Sequence, residues 1–316
     1  MIMARGSGVS PNLIAGAIIA GAYVGDRCSP MSSSANLIAS LTQTKIYTNI
    51  INMVRTTKLP FIVSCLFYLI LSILNPVEIN DKALSLEITK IFHINLFVLL
   101  PALIILVLSV FRVEVNLSLL LSVIVGIAIA MIFQGYSLLQ ILRFALLGFN
   151  LESGTAWKSI IGGGGGVVSM AKVSVVVVIS TALAGLLAGT RVLKAIEVFL
   201  KKVSSRSGLF LSTILIGLAS ASMGCTQTIA IVLTQQLVKD KYEEEQLDNY
   251  QLATDLENTV VVLSPLIPWN IAGLVPATIL MTDSGFIPYA IYLYLLPLCS
   301  LIQFKLSEST KLKLDN

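Results

Sequence analysis

Hydrophobic residues run almost unbroken through five stretches of this 316-residue chain, at 59–75, 96–111, 115–133, 167–188 and 286–304. Each approaches the roughly 17–25 residues that a membrane-crossing helix needs. Three further apolar stretches, at 9–42, 208–238 and 253–281, are interrupted by polar residues and proline, and they add three crossings or re-entrant pairs. The pattern predicts an all-α polytopic membrane protein of about seven to nine transmembrane or re-entrant helices, with broken helices in a repeated arrangement. Residues 1–316 are read as one transmembrane domain.

Two interruptions are alike. The first runs Asp26-Arg27-Cys28-Ser29-Pro30 and then Ser32-Ser33-Ser34-Ala35-Asn36. The second runs Asp255-Leu256-Glu257-Asn258 and then Ser264-Pro265-Leu266-Ile267-Pro268-Trp269-Asn270. Proline lacks the N–H that continues a helix and disfavours helical geometry at the residue before it. Carboxylates and freed backbone groups at membrane depth are costly unless they face a cavity or a ligand. Paired breaks of this kind point to the substrate site of a transporter.

Composition agrees with the membrane reading: 56% of residues are hydrophobic, 12% are charged, and the mean hydropathy is +0.89. Soluble domains carry about 25% charged residues. The net charge of +4 comes with no basic tract of the kind that binds nucleic acid. Cys28, Cys65, Cys225 and Cys299 are far apart, and His93 is the single histidine, so neither a zinc nor a redox motif is present. Arg5 followed by the apolar 13–24 imitates a signal peptide, but Asp26-Arg27-Cys28 is a poor cleavage site.

Loop charges set orientation. The loop with Lys45, Arg55 and Lys58 reads as cytoplasmic, the one from Glu78 to His93 as outside, and Arg112 as a cytoplasmic turn. The segment 135–166 reads as outside, with an amphipathic stretch at 138–149, and the basic loop from Arg191 to Arg206 as cytoplasmic. The acidic segment 239–248 is then outside, and strict alternation leaves Lys305, Lys311 and Lys313 outside as well, against the rule. One broken segment is therefore expected to be re-entrant. Gly162 to Gly166 lacks the GK[ST] of a phosphate loop and reads as a flexible or closely packed helix start, and Lys172 as snorkelling to the interface.

Ala17, Gly21 and Gly25 fall four residues apart, a small-residue face for close helix approach. Asp26 follows, and Ser32, Ser33, Ser34 and Asn36 supply neutral oxygens beyond the break. Carboxylate, hydroxyl and carbonyl oxygens suit a hard cation. The plain alternative is an Asp26–Arg27 ion pair in an extramembrane turn, which the apolar flanks and the recurrence disfavour. In the second motif Thr254, Glu257, Asn258 and Val261 share a helix face, while Asp255 points elsewhere, toward solvent. Glu257 is the better candidate for binding an ion or proton, because a desolvated carboxylate can trade one for the other near neutral pH. The alternative is a structural carboxylate bonded to backbone at the break. Between the motifs, Gly217, Ser220, Gly224 and Gln227 form a small polar stripe with Cys225-Thr226-Gln227-Thr228 at its centre, which helix packing or a ligand role explains equally well.

These residues resemble the NhaC family of Na+/H+ antiporters, within the wider ion-transporter superfamily. The stretch Ala15-Gly16-Ala17-Ile18 through Gly25-Asp26-Arg27-Cys28-Ser29-Pro30 is similar to the family's AGAI…GAYFGDKxSPLSDTTN, and Ser264 to Asn270 matches its SPLIPWN in full. Lys239-Asp240-Lys241-Tyr242 resembles the loop before the second motif. Family members are longer, so the chain looks like their C-terminal two-thirds. Acids are also fewer: Ser33 stands where the family has Asp, Thr226-Gln227 where it has acid-Gln, and Asn258 where it has Asp.

The resemblance implies a secondary active transporter exchanging Na+ for H+ by alternating access, a multi-pass protein of the bacterial plasma membrane with no cofactor and no enzymatic activity. Asp26 and Glu257 would be the ionisable pair and the Na+ ligands, with Ser29, Ser33, Asn36, Thr226, Gln227, Asn258, Ser264 and Asn270 as neutral ligands. Its partners would be lipid and Na+, H+ or a small organic ion, with a homo-oligomer or a second chain supplying the missing N-terminal helices. The alternatives are Na+- or H+-coupled exchange of organic acids or amino acids, and a partial transporter that exchanges nothing alone.

Overall fold

The computed structural model describes residues 9–76, 92–111, 113–149, 166–188, 203 and 205–314, and among them every regular element is helical, with no strand. In chain order the helices are α1 (Pro11–Cys28), α2 (Ser33–Leu41), α3 (Ile46–Leu74), α4 (Leu100–Val110), α5 (Val115–Phe133), α6 (Leu138–Leu147), α7 (Ala171–Ala188), α8 (Arg206–Gly224), α9 (Gln227–Glu244), α10 (Asn249–Leu256), α11 (Ile271–Ile279) and α12 (Ile291–Leu314). By length and composition α3, Asn116–Phe133 of α5 and α8 are each able to cross a membrane. Asn249–Leu266 and α11 pass the same test together, bent by 55° at their break. All five expected apolar stretches coincide with or overlap helices. The expected loops at Glu78–Lys90 and Arg191–Lys202, together with Arg112, Gly162–Gly165 and the Lys172 side chain, lie outside the described residues.

The chain divides into two compact units. The smaller, Val77–Ala171, packs α4 against α5 and carries α6, whose start is closed by a reciprocal capping box between Ser137 and Gln140. Gly166, the last of the glycine run, adopts φ +79° against the backbone of Gly148, where a side chain would have no room. It is a closely packed helix start.

The larger unit, Ser10–Pro76 with Lys172–Asn316, holds the two interruptions. Pro11 opens α1 at a first-turn position, where its missing N–H costs nothing, and Ser29-Pro30 ends it. The packed face of α1 is Gly16, Ala20, Tyr23 and Arg27, at spacings of four, three and four. A methyl on Gly16 would come within 2.6 Å of Tyr289 Cβ, so this glycine is the point of close approach. Gly21 and Gly25 have nothing within 4 Å, which corrects the expected small-residue contact face by one helical position. Along α3, Met53, Thr57, Pro60 and Ser64 turn inward, whereas Leu59, Ile62, Leu66, Leu69, Ile70 and Ile73 are each more than half exposed, as suits a helix bordered by lipid.

The most consequential correction concerns α8 and α9. Cys225, at φ +53°, ends α8 in a left-handed turn, and the Thr226 hydroxyl accepts from Ile229 N–H to start α9 at once. The two helices fold back as a hairpin, with Thr213 Oγ1 3.2 Å from Tyr242 Oη and the Arg206 guanidinium over the Tyr242 ring. The start of α8 and the end of α9 therefore share one end of the bundle. The acidic segment 239–248, expected on the opposite side from Arg206, lies on the same side. The end of α12 is there too, because Glu308 accepts from Ser207 N–H at 2.8 Å and Ser207 Oγ at 2.6 Å. One additional reversal brings Lys305 back among the basic residues and removes the conflict with the charge rule.

With Glu244→Cys, Lys305→Cys and Ser284→Cys introduced singly, a membrane-impermeant thiol reagent is expected to label the first two from one face of a vesicle and Ser284→Cys from the other. Labelling of Glu244→Cys from the Ser284→Cys face would refute the hairpin.

Candidate functional site

Arg27, on the last turn of α1, is fully buried. Its Nε donates to the backbone carbonyl of Glu257 at 3.0 Å, and its Nη1 donates to Thr57 Oγ1 of α3 and to Tyr292 Oη of α12, both at 2.8 Å. Its Nη2 donates to Asn258 Oδ1. Thr56 also donates to that oxygen, at 3.3 Å, and Asn258 Nδ2 reaches Ser300 Oγ at 3.3 Å. No ion pair among the described residues involves Arg27; neutral oxygens and a carbonyl dipole hold it instead. The expected alternative, an Asp26–Arg27 pair in an exposed turn, is overturned.

Glu257 begins a five-residue π-helical turn, Glu257–Val261, between α10 and the Ser264–Leu266 turn. A π-turn shifts the hydrogen-bond register, and such insertions gather at functional sites. The widened turn presents the Glu257 carbonyl to Arg27, while the hydroxyls of Thr259 and Ser264 back-bond to the carbonyls of Asp255 and Val260. The Glu257 side chain is fully buried, and neither carboxylate oxygen has a hydrogen-bond partner. Arg27 and Asp26 are the two charges within electrostatic reach of it. A buried charge costs roughly several kcal/mol even after relaxation, and hydrogen bonds offset none of that cost at the Glu257 carboxylate.

Asp26, one residue before Arg27, is half-buried and accepts from Ser32 Oγ and Ser34 Oγ, each at 2.8 Å. Ser32 also caps α2, accepting from Ala35 N–H, so the carboxylate is tied to the start of the next half-helix. Of the other predicted residues, Asn258 joins the Arg27 cluster. Ser33 and Asn36 are exposed; Asn36 is spent on the carbonyls of Pro30 and Ser32. Ser29 accepts from Met31 N–H, and Thr226 caps α9. Gln227 donates to the Val261 carbonyl at 3.1 Å, tying α9 to the π-turn. Asn270 is fully buried; it caps α11 and donates to the Ala221 carbonyl at 2.8 Å, while Trp269 Nε1 and Ile271 N–H take the carbonyls of Ser222 and Cys225. The second broken loop thus closes the free end of α8. Gly273 makes that fit, since a side chain there would meet the Pro265 carbonyl.

Asp255 corrects the expectation of a solvated side chain: it is 2% exposed, paired with Arg206 and accepting from Tyr242 Oη at 2.6 Å. Arg27, Thr57, Tyr292 and the Arg206–Asp255–Tyr242 group were not foreseen as parts of the site. For Arg27 the signal is its phase, four residues beyond Tyr23 on the buried face of α1. Among the described residues no group of three or more His, Cys, Asp or Glu is arranged to hold a metal ion.

Replacing Arg27 with Met takes its donor from the Glu257 carbonyl and leaves Asn258, Thr57 and Tyr292 with only their mutual and Thr56 contacts, and it is expected to cost about 1–3 kcal/mol of stability. Arg27→Lys should recover only part, because an ammonium cannot reproduce the guanidinium fork. Thermal melting in detergent measures both, and unchanged melting of Arg27→Met would refute the role given to Arg27.

Against this geometry, the chain matches the Na+/H+ antiporter family over residues 21–305. The malate-2H+/Na+-lactate antiporter of Bacillus subtilis is 25% identical over 291 residues, covering 90% of this chain and 62% of that protein. A Na+/H+ antiporter of Haemophilus influenzae is 28% identical over 300 residues, covering 90% and 64%. The Na+/H+ antiporter NhaC of Bacillus subtilis is 28% identical over 307 residues, covering 95% and 68%. The chain thus spans less than two-thirds of the length of the first two relatives. No solved structure matches it. With the match running through both broken segments and the helices between them, this multi-pass membrane protein belongs to the Na+/H+ antiporter family.

Proposed function

We propose that the protein works as a secondary active transporter of the Na+/H+ antiporter type, with Glu257 as the group that carries the exchanged proton or cation. One observation carries this reading: the Glu257 carboxyl is fully buried with both oxygens unpartnered, at a π-turn of the second broken segment whose carbonyl Arg27 of the first one holds. A carboxyl group so placed holds a proton or a cation, and it cannot hold both. Competition for one pair of oxygens is the simplest chemistry that couples two ions in opposite directions.

Arg27 limits the occupancy. Its fixed positive charge already offsets part of the negative charge of Asp26 and Glu257, leaving room for one further cation, H+ or Na+. Asp26, held by Ser32 and Ser34, sets the field at the other side of Arg27 and is the second ionisable group of the site. Asn258, bonded to Arg27, transmits a change at Glu257 to α3 and α12 through Thr56 and Ser300. The bend between Asn249–Leu266 and α11 supplies a hinge for alternating access. The reading is transport rather than covalent catalysis.

In everted membrane vesicles, Na+ is expected to dissipate an imposed pH gradient. Glu257→Gln should lower that exchange by roughly tenfold or more, equivalent to losing about 1.4 kcal/mol or more of ion binding. Exchange unaffected by Glu257→Gln would sink the assignment. Uptake of labelled malate without Na+/H+ exchange would replace cation antiport by organic-acid exchange, and activity appearing only with a co-expressed upstream reading frame would assign part of the machinery to a second chain.

A further inference from the structure

A cavity of about 320 Å³ opens into the larger unit at the end where α8 begins and α9 and α12 finish. Arg55, Gln251 and Asp248 at its mouth are exposed, whereas Asp255, Asn258 and Ser300 in its depth are buried. Polar side chains line it from mouth to depth, among them Asp248, Thr254 and Asn258 beside the rings of Tyr250 and Phe304, and polar groups at membrane depth are costly unless water or an ion enters. Its floor is Asn258, the residue whose amide oxygen is shared by Arg27 and Thr56 and whose amide nitrogen rests on Ser300. Glu257 precedes Asn258 in the chain and is not among the lining residues.

We infer that this cavity is the vestibule through which the transported cation reaches Glu257 from the basic face of the membrane, with Asn258 as its inner floor and the Arg206–Asp255 pair fixing its wall. The inference rests on the antiporter reading for its cargo, but not for its existence or its sidedness. Arg206 is braced three ways: it pairs with Asp255, which Tyr242 also holds, and its guanidinium lies 5.7 Å over the Tyr242 ring and 4.0 Å over the Phe304 ring. One of its nitrogens, Nη1, is left without a partner. This brace links the first turn of α8, the last turn of α9, α10 and α12 around one opening, so its integrity holds the mouth at a fixed width. Its positive charge is neutralised by Asp255, so the passage does not repel a cation as an unpaired arginine would. Asn258 is suited to the floor because an amide presents oxygen to a cation without itself titrating.

The test labels the full chain in oriented vesicles with a cationic, membrane-impermeant methanethiosulfonate, read at the introduced residue by peptide mass. Thr254→Cys, halfway down the cavity, is expected to react from the face that labels Lys305→Cys. Its rate should exceed that of Ala253→Cys, its fully buried neighbour, by tenfold or more. Equal rates at 253 and 254, or labelling of Thr254→Cys from the opposite face, would overturn the vestibule whether or not the vesicles exchange ions. Where exchange is present, it should fall in step with modification of Thr254→Cys, and exchange that persists after complete modification would overturn the pathway. Labelling as expected in vesicles without Na+/H+ exchange would leave the vestibule standing and remove the antiporter reading alone. An Asp255→Asn background should change the labelling rate at 254 by several-fold if the pair fixes the wall; an identical rate would remove the pair from the inference.

Discussion

The structure around the two broken segments depends on burying the Arg27 guanidinium without a carboxylate against it. A cation at that depth must be given oxygens from somewhere, and here four oxygens come from three elements: α3 through Thr57, α12 through Tyr292, and the π-turn through the Glu257 carbonyl and the Asn258 amide. Each of those elements is positioned by the need to reach one planar group with donors in fixed directions. The π-turn follows from the same demand. The register shifts at the residue whose carbonyl accepts from Arg27, so the widened turn and the Arg27 contact coincide at Glu257.

Broken helices leave unpaired backbone groups, and in lipid each needs a protein partner. Here the breaks satisfy one another. The carbonyls ending α8 at Ala221, Ser222 and Cys225 are taken by Asn270, Trp269 and Ile271 of the other broken segment, and the carbonyl of Val261 is taken by Gln227 at the start of α9. Asp26 performs the equivalent service at the first break, gathering two serine hydroxyls at the start of α2. Polar residues that look like ligands are thus mostly fastenings. Glu257 is the exception, because it is the one carboxylate in the site that fastens nothing. A costly side chain without a structural task is where a transported ion has something to gain.

Much of this was legible in the chain itself. Continuous apolar runs mark helices because lipid demands them, so the stretches at 96–111, 115–133 and 167–188 reappear as described helices with little change. The two breaks are equally readable, because proline and clustered serine interrupt a helix in any context. Glu257 and Asp26 follow from carboxylates set in apolar surroundings. Beyond that, local patterns stop being informative. Ser33 and Ser34 are chemically identical neighbours, yet Ser34 meets Asp26 and Ser33 faces outward, because the choice depends on where the capped turn of α2 begins. Asp255 looks solvent-bound on a helical wheel, and only the return of α9 brings Tyr242 and Arg206 to it.

That return also explains why loop charges misled. Counting crossings treats 208–238 as a single passage, since no proline or acid marks the reversal. The turn is made by a buried cysteine in a left-handed conformation followed by a capping threonine, a pair with little compositional signature. Once the hairpin is counted, the basic residues at 55, 206, 239, 241 and 305 gather at one end, as the orientation rule requires. The polar cavity opens at that same end and descends to Asn258. The position of the acidic segment, of Arg206 and of the cavity mouth at one end therefore follows from one topological fact, the antiparallel pairing of α8 with α9. The same pairing sets Arg206 against Asp255, so a charge at the basic end of the larger unit also braces the wall of the cavity that reaches Asn258.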